Sequence, residues 1–384
     1  MVSRADRSPF AEWLWTVDRY LVVGFVALMI GGIVLSFAAS PAVAERLDID
    51  SYHFIKRQAL FLVPALVLML AVSALTPRMV RRVALILFGV SLVLMIATLF
   101  IGLEAKGARR WISLFGFSIQ PSEFLKPALI VLIAFLMSEG GRRPEVPGTL
   151  FSILLFAISA ALLVAQPDFG QTMLITLVFA AMFFLNGLPW VAIVPIGVLG
   201  LGGLVAAYMT LPHVQSRVDR FLDPSSGDTF NIDRAIEAFV SGSWFGRGPG
   251  EGTIKRVLPE SHTDFIFAVA AEEFGIIVCL MLLLVFAFVV LRGLAHAAHD
   301  SDPFGRLATA GLMVLFGIQA GINMAVNLNL MPAKGMTLPF ISYGGSSLVA
   351  TAVSMGFVLA LTRRRPDAAR NDGVVVSRLS AQAI

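Results

Sequence analysis

Gly275-Ile276-Ile277-Val278-Cys279-Leu280-Met281-Leu282-Leu283-Leu284-Val285-Phe286-Ala287-Phe288-Val289-Val290-Leu291 carries no charge and no strongly polar side chain. At a rise of about 1.5 Å per residue, a helix of this length crosses most of a hydrocarbon layer roughly 30 Å thick, and extending it back to Phe265 completes the crossing. The whole chain repeats that character. Of its 384 residues 57% are hydrophobic and 14% charged, against about 25% charged in an ordinary soluble domain. With 30 Phe, 15 Met and a mean hydropathy of +0.84, there is more apolar surface than one soluble core can absorb. These numbers exclude a soluble enzyme and define an all-α polytopic membrane protein. The net charge of +4 comes from short basic clusters between apolar runs, which suits membrane topology and not nucleic acid. The single cysteine, Cys279, permits neither an intrachain disulfide nor a cysteine metal site.

Ten runs of spanning length emerge: Leu21 to Ala39, Ala59 to Leu75, Val83 to Leu103, Phe124 to Ser138, Val146 to Ala165, Thr172 to Leu188, Trp190 to Leu211, Phe265 to Leu291, Leu307 to Met331 and Ser346 to Leu361. The Ala42-Val43-Ala44 triplet looks like a signal cleavage site, but the run before it exceeds the apolar core of a signal peptide, so the first span is read as retained. Residues 1–20 form an N-terminal segment, 21–362 a ten-helix membrane domain, and 363–384 a basic tail. Ten spans put both termini on one face. That face collects 15 Lys and Arg against 13, and setting aside six in the one long loop leaves 15 against 7. Both termini are therefore expected in the cytoplasm. The long loop, 212–263, lies between the seventh and eighth spans on the extracytoplasmic side, as a lid with one amphipathic helix over Thr229 to Val240.

Ionisable residues inside spans are functional candidates by default. Glu123 and Lys126 open the fourth span three residues apart, on one helical face and within reach of each other. Asp264, Glu272 and Glu273 open the eighth, with Asp264 and Glu272 expected on a common face. Gln319, Asn323 and Asn327 form an amide stripe along the ninth, read first as helix-packing glue. The Gly-rich stretch Phe245 to Gly252, followed by Lys255 and Arg256, offers a weak phosphate cradle and matches no nucleotide fingerprint. The broken segment Met331 to Ser347 is expected to cap or re-enter a cavity. No nucleophile constellation and no metal-binding histidine pair is present, which argues against a serine hydrolase or metalloprotease.

Five segments resemble the hallmarks of the SEDS proteins, the shape, elongation, division and sporulation glycosyltransferases of bacteria. They are Gly107-Ala108-Arg109-Arg110-Trp111-Ile112, Gln120-Pro121-Ser122-Glu123-Phe124-Leu125-Lys126, Gln166-Pro167-Asp168-Phe169-Gly170, Leu258 to Phe267 and Pro339 to Ser347. Pro332 to Gly335 and Ala270 to Gly275 look more like the cell-division member than the elongation member. The resemblance implies polymerisation of lipid II, an undecaprenyl-pyrophosphate-linked disaccharide-pentapeptide, at the septum on the outer face of the bacterial inner membrane. It also implies partnership with a class B penicillin-binding transpeptidase and with divisome regulatory membrane proteins. The family's proposed catalytic aspartate falls on Asp264. The residues of its polar cavity fall on Lys126 and Glu123, and the supporting cavity is expected to include Gln120, Ser122, His262, Thr263 and Glu273 as well. Its substrate contacts are expected among Arg57, Arg109, Arg110, Lys255, Arg256, Lys334, Ser342 and Gly344. No cofactor is implied with certainty, no protein metal site is expected, and assistance to the pyrophosphate by Mg or Mn stays open. Three alternatives remain at this point: a lipid II transporter, a non-catalytic divisome scaffold, and an elongation polymerase of the same family.

Overall fold

A computed structural model describes residues 9–363, apart from 47, 51, 106–107, 115, 188–197, 199–201, 204, 206–207, 211, 224–228 and 333–334. The basic tail after Arg363, most of the expected seventh span, Gly107 and Lys334 lie outside the described residues. A short helix α1 (Pro9–Thr16) precedes the spans α2 (Arg19–Arg46), α3 (His53–Ser73), α4 (Pro77–Ile101), α5 (Pro121–Arg142), α6 (Gly148–Ala165) and α7 (Phe169–Leu185). After α8 (Pro212–Leu222) and α9 (Phe230–Gly242) come α10 (Ile266–His299), α11 (Pro303–Asn327) and α12 (Gly345–Leu361). Seven of these are long and apolar enough to cross a membrane, and α7 and α12 are shorter apolar helices. Nine of the ten expected spans are therefore helices among the described residues. Helix α2 runs unbroken through the Ala42-Val43-Ala44 triplet.

Local chemistry sets the helix ends. Pro at the first helical position follows a polar cap in α4 and α11, where Thr76 accepts from the Met79 N–H and Asp302 from that of Gly305. Asp168 does the same for α7 through the Gln171 N–H. Along α4 the buried residues Val80, Ala84, Phe88, Ser91, Met95 and Thr98 recur every three to four positions, while Ile86, Val93 and Phe100 point outward. In a bilayer the outward stripe meets lipid, so the helix is apolar all round and sorted by shape and not by polarity. By contrast α5, α11 and α12 are buried on nearly every side and form the middle of the bundle. Rings of Phe25, Phe316 and Phe340, with centroids about 6 Å apart, lock α2 to α11 and to the segment before α12.

Cross-links sort the loops onto two faces. Trp13 donates to Ser73 at 2.7 Å, Arg142 meets Asp302 at 2.5 Å and Arg363 donates to Thr16 at 3.0 Å, so the described chain ends share one face. On that face Asp18 pairs with Arg292 at 2.7 Å and with His296. Burial alone raises the Asp18 carboxyl pKa, but the Arg292, Leu21 N–H and His296 hydrogen bonds outweigh it and bring it to about 2. This grouping is the one that alternating spans predict.

The opposite face carries two features that the helical reading omits. The first is a three-stranded antiparallel sheet, β1 (Leu103–Ala105), β2 (Ala108–Leu114) and β3 (Phe117–Ile119), in that order. The second is a break in α10 at Gly275, whose φ of 81° and ψ of 175° are open to glycine alone. There the Ile276 N–H donates to the Ser243 carbonyl at 2.9 Å and that of Ile277 to Trp244, which replace the helical bonds lost at the kink. Asp264 precedes α10 in a turn where the Glu260 carbonyl receives the N–H groups of Thr263 and Asp264. The expectation that Asp264 and Glu272 share a helical face is corrected accordingly: a turn and not a helix carries Asp264.

A Cβ at Gly275 would lie 2.3 Å from the Trp244 carbonyl oxygen. Gly275→Ala is expected to lower stability by at least about 1–3 kcal/mol from the backbone conformation alone, read as a fall in the thermal unfolding midpoint of the purified protein.

Candidate active site

The face opposite the chain ends encloses a cavity of about 510 Å³. Its walls come from β2, the starts of α5, α7 and α12, the end of α11, helices α8 and α9, and the turn at 260–265. Asp264 lines it. Gly335 passes so near that a Cβ there would sit 3.3 Å from Asp264 Oδ2, and its φ of 61° also favours glycine. The Asp264 carbonyl accepts from Asn323 Nδ2 and from Asn327 Nδ2, each at 2.9 Å.

Beneath the cavity lies Lys126, 2% exposed. Its ammonium donates to both Glu123 carboxylate oxygens at 3.0 Å, to Gln171 Oε1 at 2.9 Å and to Gln319 Oε1 at 3.3 Å. Gln171 donates in turn to Glu123 at 2.8 Å, and Gln319 to the Thr337 carbonyl at 3.2 Å. The three-residue spacing of Glu123 and Lys126 makes the pair they were expected to make. Its partners tie α5, α7, α11 and the 335–347 segment together, and every ammonium proton is engaged.

The cavity's accessible cations stand on another wall. Strand alternation sends neighbouring side chains to opposite faces, so Arg109 turns outward to Glu104 while Arg110 turns inward. Arg110 donates to the carbonyls of Gln166, at 3.1 Å, and Pro167, and stands 3.6 Å from Asp168. Arg217 and Arg220 descend from α8 into the same space. Burial lowers the Arg217 pKa, and the charges of Arg110 and Arg220 lower it further, against Asp168 and Asp264 acting the other way. Burial raises the Asp168 carboxyl above its ordinary value, although Arg110 opposes the shift. The cavity therefore holds three clustered guanidiniums with Asp264 within electrostatic reach.

Of the residues singled out in the sequence, Asp264, Glu123, Gln120, Thr263, Arg110 and Gly344 line this space. Ser122 is buried beside it, and Ser342 closes a turn by accepting the Leu338 N–H at 2.8 Å. His262 packs between Phe54 and Tyr343. Burial lowers its pKa to about 4, so it is neutral at pH 7 and not a cation for phosphate. Arg57 and Arg256 are exposed outside the cavity.

The reading of Lys255 and Glu273 as cavity groups is not what the packing shows. Lys255 is buried, bonded to Glu273 and to the Ala38 carbonyl at 2.9 Å. The turn after the Gly-rich stretch does form an anion cradle, but Glu272 occupies it. Its carboxylate accepts the N–H groups of Thr253 at 2.6 Å, Ile254 at 2.7 Å and Lys255 at 2.9 Å. Sequence reasoning passed over Asp168, Gln171, Arg217 and Arg220 as site residues. The available signals were the charge inside the Gln166 to Gly170 motif and the i, i+3 spacing of the two arginines.

Fold and site together define a multi-pass membrane protein with a charged cavity opening on one face. A family model described as cell cycle protein, that of FtsW, RodA and SpoVE, matches residues 19–366, and the chain belongs to this family, the SEDS proteins. It is 50% identical over 367 residues to a Caulobacter vibrioides protein named "Probable peptidoglycan glycosyltransferase FtsW", covering 95% of this chain and 94% of the relative. A protein of the same name from Trichlorobacter lovleyi is 36% identical over 364 residues, 93% and 95% of the two chains. Among solved structures, a chain of a peptidoglycan synthase complex that coordinates polymerization and crosslinking superposes with a TM-score of 0.76 at 30% identity, over 90% of this chain and 97% of that one. The rod shape determining protein RodA of Thermus thermophilus gives 0.67 at 28% identity, over 90% and 96%.

Removing one member of a buried ion pair costs about 3–5 kcal/mol, whereas replacing both with apolar groups costs far less. Lys126→Met is thus expected to unfold at markedly lower temperature than Glu123→Leu/Lys126→Met, as thermal unfolding of the two variants in detergent will read.

Proposed function

We propose that this chain is a peptidoglycan glycosyltransferase of the cell-division type, which polymerises lipid II in the cavity that Asp264 and the three arginines line. The observation that carries this reading is the placement of the Asp264 carboxylate, at the turn before α10, in a one-sided cavity with a cationic cluster. A sugar bearing a lipid pyrophosphate already has a good leaving group. Its transfer needs a base for the incoming hydroxyl and cations for the departing phosphates. Asp264 takes the proton of the acceptor sugar 4-hydroxyl as that oxygen attacks the anomeric carbon. The bond from that carbon to the pyrophosphate oxygen breaks, the configuration inverts, and undecaprenyl pyrophosphate leaves with its charge held by Arg110, Arg217 and Arg220. The guanidinium fork suits phosphate oxygens, and the cluster's mutual repulsion is relieved when an anion enters. Among the described residues no three His, Cys, Asp or Glu converge on a metal position. No step is assigned to a Mg or Mn ion.

A transporter needs polar contacts that reach both faces, whereas this cavity ends at the saturated Lys126 network. The name of the solved synthase complex pairs polymerization with crosslinking, which supports a class B penicillin-binding transpeptidase as partner, together with divisome regulators. On this reading the site faces outward from the bacterial inner membrane at the septum, and both termini are cytoplasmic.

Glycan polymerisation by the purified protein with its transpeptidase partner tests the base. Asp264→Asn is expected to give no polymer at equal folded amounts, and polymer at the wild-type rate would make Asp264 structural. In the same assay Arg110→Ala and Arg217→Ala are each expected to weaken lipid II use by about tenfold or more in kcat/KM, the loss of one charge-assisted contact. Arg109→Ala and Arg256→Ala are expected to leave it within about twofold, since neither lines the cavity.

A further inference from the structure

Asn327 is fully buried and lies outside the cavity, yet both donors of its amide and its acceptor oxygen are engaged at the base of the site. Nδ2 donates to the Asp264 carbonyl at 2.9 Å and to the Asn323 carbonyl at 2.8 Å. Oδ1 accepts the N–H of Ala268 at 3.1 Å. Ala268 is the third residue of α10, a position whose N–H a polar N-cap side chain ordinarily satisfies, but the side chain of the cap residue, Phe265, makes no such bond and only its carbonyl receives the Ala268 N–H, at 3.1 Å. Asn327 Oδ1 shares that N–H and supplies the side-chain cap from another helix. One turn earlier on α11, Asn323 donates to the same Asp264 carbonyl at 2.9 Å and to the Met336 carbonyl at 2.6 Å. Two amides thereby occupy both lone pairs of the Asp264 carbonyl and seat the 260–265 turn on α11.

We infer that Asn327 is a positioning residue for the glycosyl transfer: it holds the Asp264 backbone and the first turn of α10 in fixed register, so that the carboxylate meets the acceptor hydroxyl without reorganising. The inference rests on the assignment of Asp264 as the base. Only a side chain with both a donor and an acceptor at this reach does both tasks. Aspartate keeps the shape and the acceptor but loses the donors, and leucine loses both. A displacement of the base by a fraction of an ångström is enough to slow transfer while substrate binding, carried by the arginine wall, stays as it was.

The test measures kcat and KM for lipid II with the full-length protein and its transpeptidase partner, for wild type, Asn327→Asp, Asn327→Leu and Asp264→Asn, with the thermal unfolding midpoint of each. The expected result is a kcat about tenfold lower or more in Asn327→Asp, as for a lost buried hydrogen bond, with KM and folded amount unchanged and Asn327→Leu worse than Asn327→Asp. A wild-type kcat in Asn327→Asp, with Asp264→Asn inactive, overturns the positioning role and leaves the base in place. Loss of kcat in step with KM and unfolding midpoint in both Asn327 variants makes the residue a packing element and overturns it as well. Activity retained by Asp264→Asn overturns the base assignment itself.

Discussion

The Lys126 ammonium, buried under a cavity and held by Glu123, Gln171 and Gln319, is the contact on which the architecture of the site depends. An isolated ammonium cannot be left in a hydrocarbon-like interior, so the helices that carry its acceptors must converge on it. That requirement joins α5, α7 and α11, and through Gln319 and Thr337 it draws the broken segment before α12 over the same point. The result is a polar floor in a bundle that is otherwise sorted by shape alone. Because its donors are all engaged, the lysine acts as a keystone, and the cations that line the cavity are others.

Those cations are arginines, and their placement follows from secondary structure. In β2, Arg109 and Arg110 are adjacent in sequence and opposite in direction, so one reaches solvent and Glu104 while the other reaches the cavity. Arg110 is steadied by main-chain carbonyls and by Asp168, the residue that also caps α7. Arg217 and Arg220 arrive from α8 on the other side. Like charges brought this close are unfavourable in the empty site and become favourable when an anion is present, which fits a leaving-group position.

Anion recognition by backbone amides is also present, but it is directed inward. The N–H groups that follow the Gly-rich stretch close on the Glu272 carboxylate, and Lys255 closes on Glu273. Together with the bonds from Ser243 and Trp244 to the kink after Gly275, they pin the long loop to α10. The loop leads directly into the turn that bears Asp264, so these buried charges give its carboxylate a rigid approach from upstream. Asn323 and Asn327 hold the Asp264 backbone carbonyl from below.

The sequence by itself determined the membrane class, nine of the helices, the two-faced sorting of the loops, the Glu123–Lys126 contact and the candidacy of Asp264. Each of these follows from a local rule: apolar length against bilayer thickness, alternation of crossings, i, i+3 geometry, and the cost of charge among apolar neighbours. Only the tertiary structure decided which cations serve the cavity. A basic residue looks the same in sequence whether it is bonded to a carboxylate eighteen residues away, as for Lys255 and Glu273, or lines a cavity, as for Arg217. The distinction between Arg109 and Arg110 needed the strand that places them on opposite faces. The separation of Glu272 from Asp264 needed the turn that ends before α10 begins. Partner choice among charges is a long-range property, set when distant segments pack, and no window of sequence contains both sides of it.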